Sequence, residues 1–257
     1  MVFIFARRST IQKRPSANPR VIRCYSRIQK GLRPEQILRF KTTNGGSCQK
    51  QPVNSPEVFR TAILSSVRKM VVGDGFLVIA VSGVTNGGKT SLIERLRKEF
   101  PEAGFVSQDT FFFSEEDPRH QWLQTETFRH QNWELPSAID FVLLKSKVRS
   151  LTCSGSCLPY RILLIEGHVI FADLDIVAWS DKKYFFTLTK EQCKERRERR
   201  TYQPADPPGY FDLCIYPEYL KYLSMVKKHV KDVEYLDGAG PQDVIFQKVL
   251  NDIRPLL

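Results

Sequence analysis

The run Gly83-Val84-Thr85-Asn86-Gly87-Gly88-Lys89-Thr90 constrains this chain more than any other stretch, because of what flanks it. Before it lies the apolar segment Phe76-Leu77-Val78-Ile79-Ala80-Val81, which reads as a buried strand. After it, Leu92, Ile93, Leu96 and Phe100 recur at helical intervals until Pro101 stops the pattern. A strand, a G-x-x-x-x-G-K-T loop and an amphipathic helix in that order make a phosphate-binding loop. Glycines remove the Cβ atoms that would keep backbone N–H groups from an anion, and the following helix points its N-terminus at the same place. In such a loop Lys89 reaches the β- and γ-phosphates, and the Thr90 hydroxyl sits on Mg²⁺. Nucleoside triphosphate binding follows from this stretch, but the phosphate acceptor does not.

Further acids and aromatics lie downstream at positions that suit this loop. Phe105-Val106-Ser107-Gln108-Asp109 reads as a short second strand ending in a carboxylate. In an open parallel sheet, ligands bind beyond the carboxyl ends of the strands, which makes Asp109 a candidate base or Mg²⁺ ligand; a helix cap is the alternative, and the phosphate loop upstream favours function. Residues 114–132 are polar and irregular, and read as a mobile loop in which His120 and His130 are not spaced as a metal pair. The turn Asn132-Trp133-Glu134-Leu135-Pro136 then leads into a helix carrying Phe141, Leu144 and Val148. An aromatic face beside a carboxylate suits a sugar-plus-base ligand, and equally a core tryptophan beside a surface acid. A third strand, Tyr160 to Gly167, ends near Glu166, where a second acid can stand beside a metal; Lys183 to Leu188 is a fourth, and Asp232 to Leu236 a weaker fifth.

Between the last two strands Thr189 caps a basic helix that continues to Gln203, with Arg196 and Arg200 on one face and Arg197 pointing elsewhere. The segment Pro204-Ala205-Asp206-Pro207-Pro208-Gly209-Tyr210 follows at once, and the two together read as a hinged lid. Pro217 opens a helix with Leu220, Leu223, Val226 and Val230, and Pro241 another with Ile245, Phe246, Val249, Leu250 and Ile253. The elements add up to an α/β fold with a parallel five-stranded sheet.

Charge separates this domain from what precedes it. The net charge of the 257 residues is +11, yet residues 1–75 hold 15 Lys and Arg against Glu35, Glu57 and Asp74, a net +12, so the remainder is close to neutral. Residues 1–54 therefore form a basic arm, 55–75 a helix and linker, and 76–257 the phosphate-loop domain. Ser55 and Pro56 start the linker helix, whose apolar face is Val58, Ala62, Ile63, Val67 and Met70. The arm has no acid before Glu35, a composition shared by mitochondrial transit peptides and by solvated basic tails. No apolar run reaches membrane-spanning length, and confinement of the charge to the arm argues against nucleic acid as the domain's partner. Six cysteines without secretory context read as reduced thiols, and Cys153 with Cys157 lacks the second pair that a zinc site needs.

Taken together, these motifs resemble the nicotinamide riboside kinases within the uridine-kinase-like group of P-loop kinases. The residues that carry the likeness are the loop itself, Ser107-Gln108-Asp109 with Phe111 and Phe112, Ile165-Glu166-Gly167, Arg196-Arg197 with Arg200 and Tyr202-Gln203-Pro204, Asp206 with Pro208-Gly209-Tyr210-Phe211-Asp212, and Tyr235-Leu236-Asp237-Gly238. The resemblance covers about residues 76–257 and implies a nucleoside-kinase-like three-layer fold with an Arg-rich helical lid. It implies ATP and Mg²⁺, a small-molecule nucleoside as acceptor, and NAD synthesis in the cytoplasm, with mitochondria the alternative that the arm raises. It further implies that Gly83 to Ser91, Arg196 and Arg200 hold ATP, and that Asp109 is the base and shares Mg²⁺ with Thr90. Lys89 and Glu166 would assist catalysis. Phe112, Trp133, Glu134, Arg197, Tyr202 and Gln203 would face the acceptor, Trp133 and Tyr202 sandwiching a pyridine ring and Glu134 holding ribose hydroxyls. Trp133-Glu134 replaces the Tyr-Asp often found in the family, and Thr110 stands where a second acid is common. A uridine or cytidine kinase is the nearest rival reading, and a non-catalytic protein that binds nucleic acid through its arm is the rival from another class.

Overall fold

The computed structural model describes Val72, residues 75–152 and residues 161–257. The basic arm, the linker helix apart from Val72, and Cys153 with Cys157 lie outside the described residues.

Five strands form one parallel sheet: β1 (Leu77–Gly83), β2 (Gly104–Ser107), β5 (Ile162–Glu166), β6 (Lys182–Thr187) and β7 (Val233–Asp237). Their order is β2-β5-β1-β6-β7, so β1 is central. The chain builds to one side of β1 with β2 and β5, then crosses to build β6 and β7 on the other. That reversal places the mouth of β1, and hence the phosphate loop, at the topological switch point where open α/β sheets bind ligands. Val81 pairs with Glu166 across β1 and β5, and Gly83 with Phe186 across β1 and β6.

Alternation along the strands divides the core into two layers. Ile79 and Val81 of β1, with Tyr184 and Phe186 of β6, face helices α1 (Lys89–Glu99) and α6 (Gln242–Ile253), whose Leu92, Ile93, Leu96, Val249, Leu250 and Ile253 complete that layer. Val78, Ala80, Leu163, Ile165 and Phe185 face α2 (Phe141–Thr152), α3 (Leu174–Trp179) and α5 (Tyr216–His229) on the other side. Each fully buried Leu, Ile or Phe adds roughly 1.5–3 kcal/mol relative to exposure. The result is the expected three-layer α/β/α arrangement with a parallel five-stranded sheet.

Four local expectations are revised. Residues 114–132 contain a hairpin, β3 (Trp122–Gln124) with β4 (Arg129–Gln131), where an irregular loop was expected. Thr125 closes its turn, its hydroxyl accepting from the Phe128 N–H at 3.0 Å, and His130 packs on Tyr210 with ring centroids 4.5 Å apart. The second strand ends at Ser107, so Asp109 sits in a single 3₁₀ turn (Gln108–Phe111) that the Thr110 hydroxyl closes onto the Ser107 carbonyl. The basic helix α4 (Lys190–Glu198) ends five residues before Gln203, because the Arg200 N–H bonds the Arg197 carbonyl at 3.0 Å and tightens the last turn. In α5 the core face is Tyr219, Tyr222 and Val226, while Leu220 is exposed. Helix α3 was not foreseen; Asp173 caps it, accepting from the N–H groups of Asp175 and Ile176.

Candidate active site

The phosphate loop joins β1 to α1 and is pinned to β6, where the Val84 N–H donates to the Phe186 carbonyl at 3.0 Å. Gly83 has φ +120°, and a Cβ there would stand 2.3 Å from the Phe186 carbonyl oxygen, so both conformation and space demand glycine. Gly88 caps α1 with no side-chain bond, leaving the N–H groups of the first turn, with Thr90 and Ser91, directed into the loop. Lys89 Nζ donates to the carbonyls of Gly83 and Val84 at 3.0 and 2.7 Å.

Acids from three separate segments surround that ammonium. Burial lowers the Lys89 pKa, and the charges of Asp109, Glu166 and Glu134 oppose the fall. Asp109 is exposed, yet the protein around it excludes enough water to raise its carboxyl above the ordinary range, with Lys89 and then Arg200 drawing it back. Glu166, buried at the end of β5, is likewise raised by burial; Lys89 and the nearby Thr90 and Ser107 side chains counter the rise, and its Oε2 has no hydrogen-bond partner. Thr90, Asp109 and Glu166 thus converge as hard oxygen donors.

The turn after β4 carries the acceptor candidates. The Trp133 N–H donates to Tyr210 Oη at 3.3 Å, and Tyr210 Oη donates to the Gln131 carbonyl at 2.8 Å, which locks the turn to the segment beyond α4. Phe112 meets the Trp133 ring edge-on at 5.6 Å, and His120 lies 4.3 Å from it. Glu134 is largely enclosed, its side chain 12% exposed, and the loss of solvent lifts its carboxyl to about 7 against the pull of Arg197 and Lys89. Its two oxygens face different partners: Oε1 is 3.8 Å from Arg197 Nη1, and Oε2 is 3.9 Å from His168 Nε2.

The arginines of α4 divide their work. Arg196 donates to the Asn86 carbonyl at 3.1 Å and to the Gly238 carbonyl at 2.9 Å, joining the phosphate loop to the turn after β7. Arg197 is buried and reaches Thr85 Oγ1 at 3.1 Å. Its guanidinium covers the Tyr202 ring at 4.0 Å, and Tyr202 Oη donates to Asn86 Oδ1 at 3.0 Å. Arg200 and Gln203 are exposed; Arg200 acts on Asp109 through its charge. Among the described residues Trp133 and Tyr202 share no ring contact: one packs on Phe112 and His120, the other on Arg197.

Three contributors lay outside the sequence expectations. Asp206 takes Arg197 in a fork, Gln108 contacts His168, and His168 sits in the acceptor recess. Asp206 stands in the Pro/Gly-rich segment and Gln108 beside Asp109, but His168 is 60 residues from Gln108, and no local pattern joins them. Burial, with Lys89 and Arg197 adding to it, lowers the His168 pKa to about 3 against the Trp133 backbone, so the ring is neutral.

Mg²⁺ needs few protein ligands when phosphates share it, and the Thr90, Asp109 and Glu166 oxygens fit that need. Among the described residues no three His, Cys, Asp or Glu side chains make a ready metal cage. No helix among them is long and apolar enough to cross a membrane.

A phosphate loop at the switch point of a parallel sheet, with a lysine among three acids and two arginines bonded to the loop, defines a P-loop kinase. No family model matches the chain. It is 36% identical over 181 residues to human nicotinamide riboside kinase 1, covering 68% of this chain and 91% of that protein. It is 32% identical over 191 residues to mouse nicotinamide riboside kinase 2, covering 69% of this chain and 95% of that one. A solved gluconokinase structure from Sinorhizobium meliloti aligns over 71% of this chain and 93% of its own with a TM-score of 0.45 at 15% identity. The chain belongs to the nicotinamide riboside kinase family.

Proposed function

We propose that the protein transfers the γ-phosphoryl group of ATP to the 5′-hydroxyl of nicotinamide riboside, and of nicotinic acid riboside as a second acceptor, yielding the mononucleotide for NAD synthesis. Beyond family membership, the reading rests on one observation: Arg197 Nη1 bonds Thr85 Oγ1 of the loop at 3.1 Å and stands 3.8 Å from Glu134 Oε1, which joins the phosphate side to the acceptor side.

In this reading Gly83 to Ser91 wrap the phosphates, and Lys89 moves from the Gly83 and Val84 carbonyls onto them. Arg196 and Arg200 complete the positive enclosure. Asp109, its pKa raised by partial desolvation, accepts the proton of the 5′-hydroxyl as the oxygen attacks phosphorus. Thr90 and Asp109, with Glu166 nearby, would hold Mg²⁺, which would supply charge neutralisation to the transferring group. Phe112 and Trp133 present aromatic surface, Tyr202 and Gln203 close from the opposite side, and Glu134 with Arg197 addresses the sugar. The site of action is the cytoplasm, or the mitochondrion if the basic arm directs import; fractionation with N-terminal sequencing decides.

A purified-enzyme assay with ATP and Mg²⁺, offering nicotinamide riboside, nicotinic acid riboside, uridine and cytidine side by side, tests the substrate assignment. Preference for the pyridine ribosides supports it. Preference for uridine or cytidine overturns it in favour of a pyrimidine nucleoside kinase.

A further inference from the structure

His168 has one ring nitrogen engaged and the other open, and its surroundings determine which carries the proton. The Val169 N–H donates to Gln108 Oε1 at 3.1 Å, which fixes the orientation of the amide. Gln108 Nε2, a donor, therefore meets His168 Nδ1 at 2.8 Å, and Nδ1 must accept. A neutral imidazole then bears its proton on Nε2. Gly167 makes the clamp possible, since a Cβ there would stand 2.4 Å from Gln108 Oε1. Phe112 stacks on the ring at 5.8 Å and 20°, holding its plane.

The protonated Nε2 is buried beside the Trp133 backbone, makes no hydrogen bond of normal geometry, and lies 3.9 Å from Glu134 Oε2. That gap is too long for a direct hydrogen bond, yet one oxygen at normal distance from both fits between them. Such an oxygen accepts from Nε2–H and donates to the carboxylate, which is the pattern of a hydroxyl group. Glu134 Oε1 faces Arg197, so Oε2 and His168 form a separate pair.

We infer that His168 is a specificity-determining residue: with Glu134 it clamps one hydroxyl of the ribose diol, which selects ribonucleosides over the matching deoxynucleoside. The inference rests on the proposed acceptor side of the site but not on which base the nucleoside carries. A substrate lacking that hydroxyl leaves a buried donor unpaired, and sites built around such a bond discriminate strongly.

The test is a cycle of kcat/KM values for wild type and His168→Phe with nicotinamide riboside and its 2′-deoxy and 3′-deoxy analogues. For the clamped hydroxyl, wild type should favour the full ribose, and His168→Phe should shrink that preference by about tenfold, through KM more than kcat. The other hydroxyl should show no coupling. Independent effects at both hydroxyls would overturn the clamp. Gln108→Glu, which keeps the ring but forces the proton onto Nδ1, should reproduce the loss and serves if His168→Phe does not fold. Long-range ¹H–¹⁵N spectra of the wild-type protein should show the Nε2-protonated tautomer; the Nδ1 form would equally overturn it. If wild type prefers uridine, the substrate assignment fails, and the same cycle with uridine and its deoxy analogues decides the clamp separately.

Discussion

Arg197 grips Asp206 through two hydrogen bonds, Nε to Oδ2 at 2.6 Å and Nη2 to Oδ1 at 3.1 Å. The fork fixes the guanidinium plane, leaving Nη1 to reach Thr85 and Glu134. It also ties the Pro/Gly-rich segment to the end of α4. One ion pair thereby orients the arginine that faces the acceptor turn.

Asp206→Ala should consequently act in two ways. A buried guanidinium deprived of its fork costs about 1–3 kcal/mol of stability. The freed Arg197 should also misplace Glu134, raising KM for the nucleoside several-fold while KM for ATP changes little. Urea denaturation and steady-state kinetics read both effects, and an unchanged unfolding midpoint together with an unchanged nucleoside KM would remove Asp206 from this role.

Lys89→Ala and Asp109→Asn test the catalytic assignment. Phosphoryl transfer depends on positioning and charge stabilisation, so losing either group should lower kcat by at least about 10²- to 10³-fold. Circular dichroism should show both variants folded, since neither side chain belongs to the two core layers. Near wild-type turnover in Asp109→Asn would show that another group takes the proton.

Tyr222 tests how the sheet supports the loop. Its hydroxyl accepts from the Phe171 N–H at 2.8 Å and pairs with Ser82 Oγ at 3.1 Å, one residue before the phosphate loop. Tyr222→Phe strands a buried N–H and should cost about 1–3 kcal/mol in denaturant titration. Because the removed oxygen touches no proposed ligand group, KM for ATP should move far less than the midpoint. A large ATP effect without loss of stability would mean that Ser82 carries the loop's geometry.

The sequence revealed the parts of this molecule that are local. Strand, loop and helix around Lys89 are contiguous, so periodicity and one motif sufficed, and α6 showed its core face for the same reason. The hairpin escaped because its strands are three residues each and its buried members, His130 and Gln131, are polar. Leu220 was misassigned because α5 continues from a π turn (Phe211–Ile215) that shifts the phase of its buried face toward Tyr219 and Tyr222. Glu166 was legible as a strand-end carboxylate, whereas Asp109 lies two residues beyond its strand and Glu134 in a turn. The Gln108–His168 clamp was not, because it exists only once β5 lies beside β2.

Glu134 supplies the pH prediction. An ordinary glutamate titrates near 4.5, and burial raises this one to about 7 in the folded protein. Below about pH 4.5 both folded and unfolded chains are protonated, and the group contributes no difference. Between about 4.5 and 7 the unfolded chain releases its proton while the folded one retains it, so stability falls as pH rises, and the cost is complete above about 7. Glu134→Gln lacks this titration, so its stability relative to wild type should increase across that window and then level off. Binding should respond in the opposite sense. The carboxylate accepts hydrogen bonds from ribose hydroxyls better than the neutral acid does, so the wild-type KM for nucleoside should fall as pH rises from about 6 to 8. In Glu134→Gln it should stay high and flat. Parallel KM profiles for the two proteins would show that Glu134 does not hold the sugar, whatever its effect on stability.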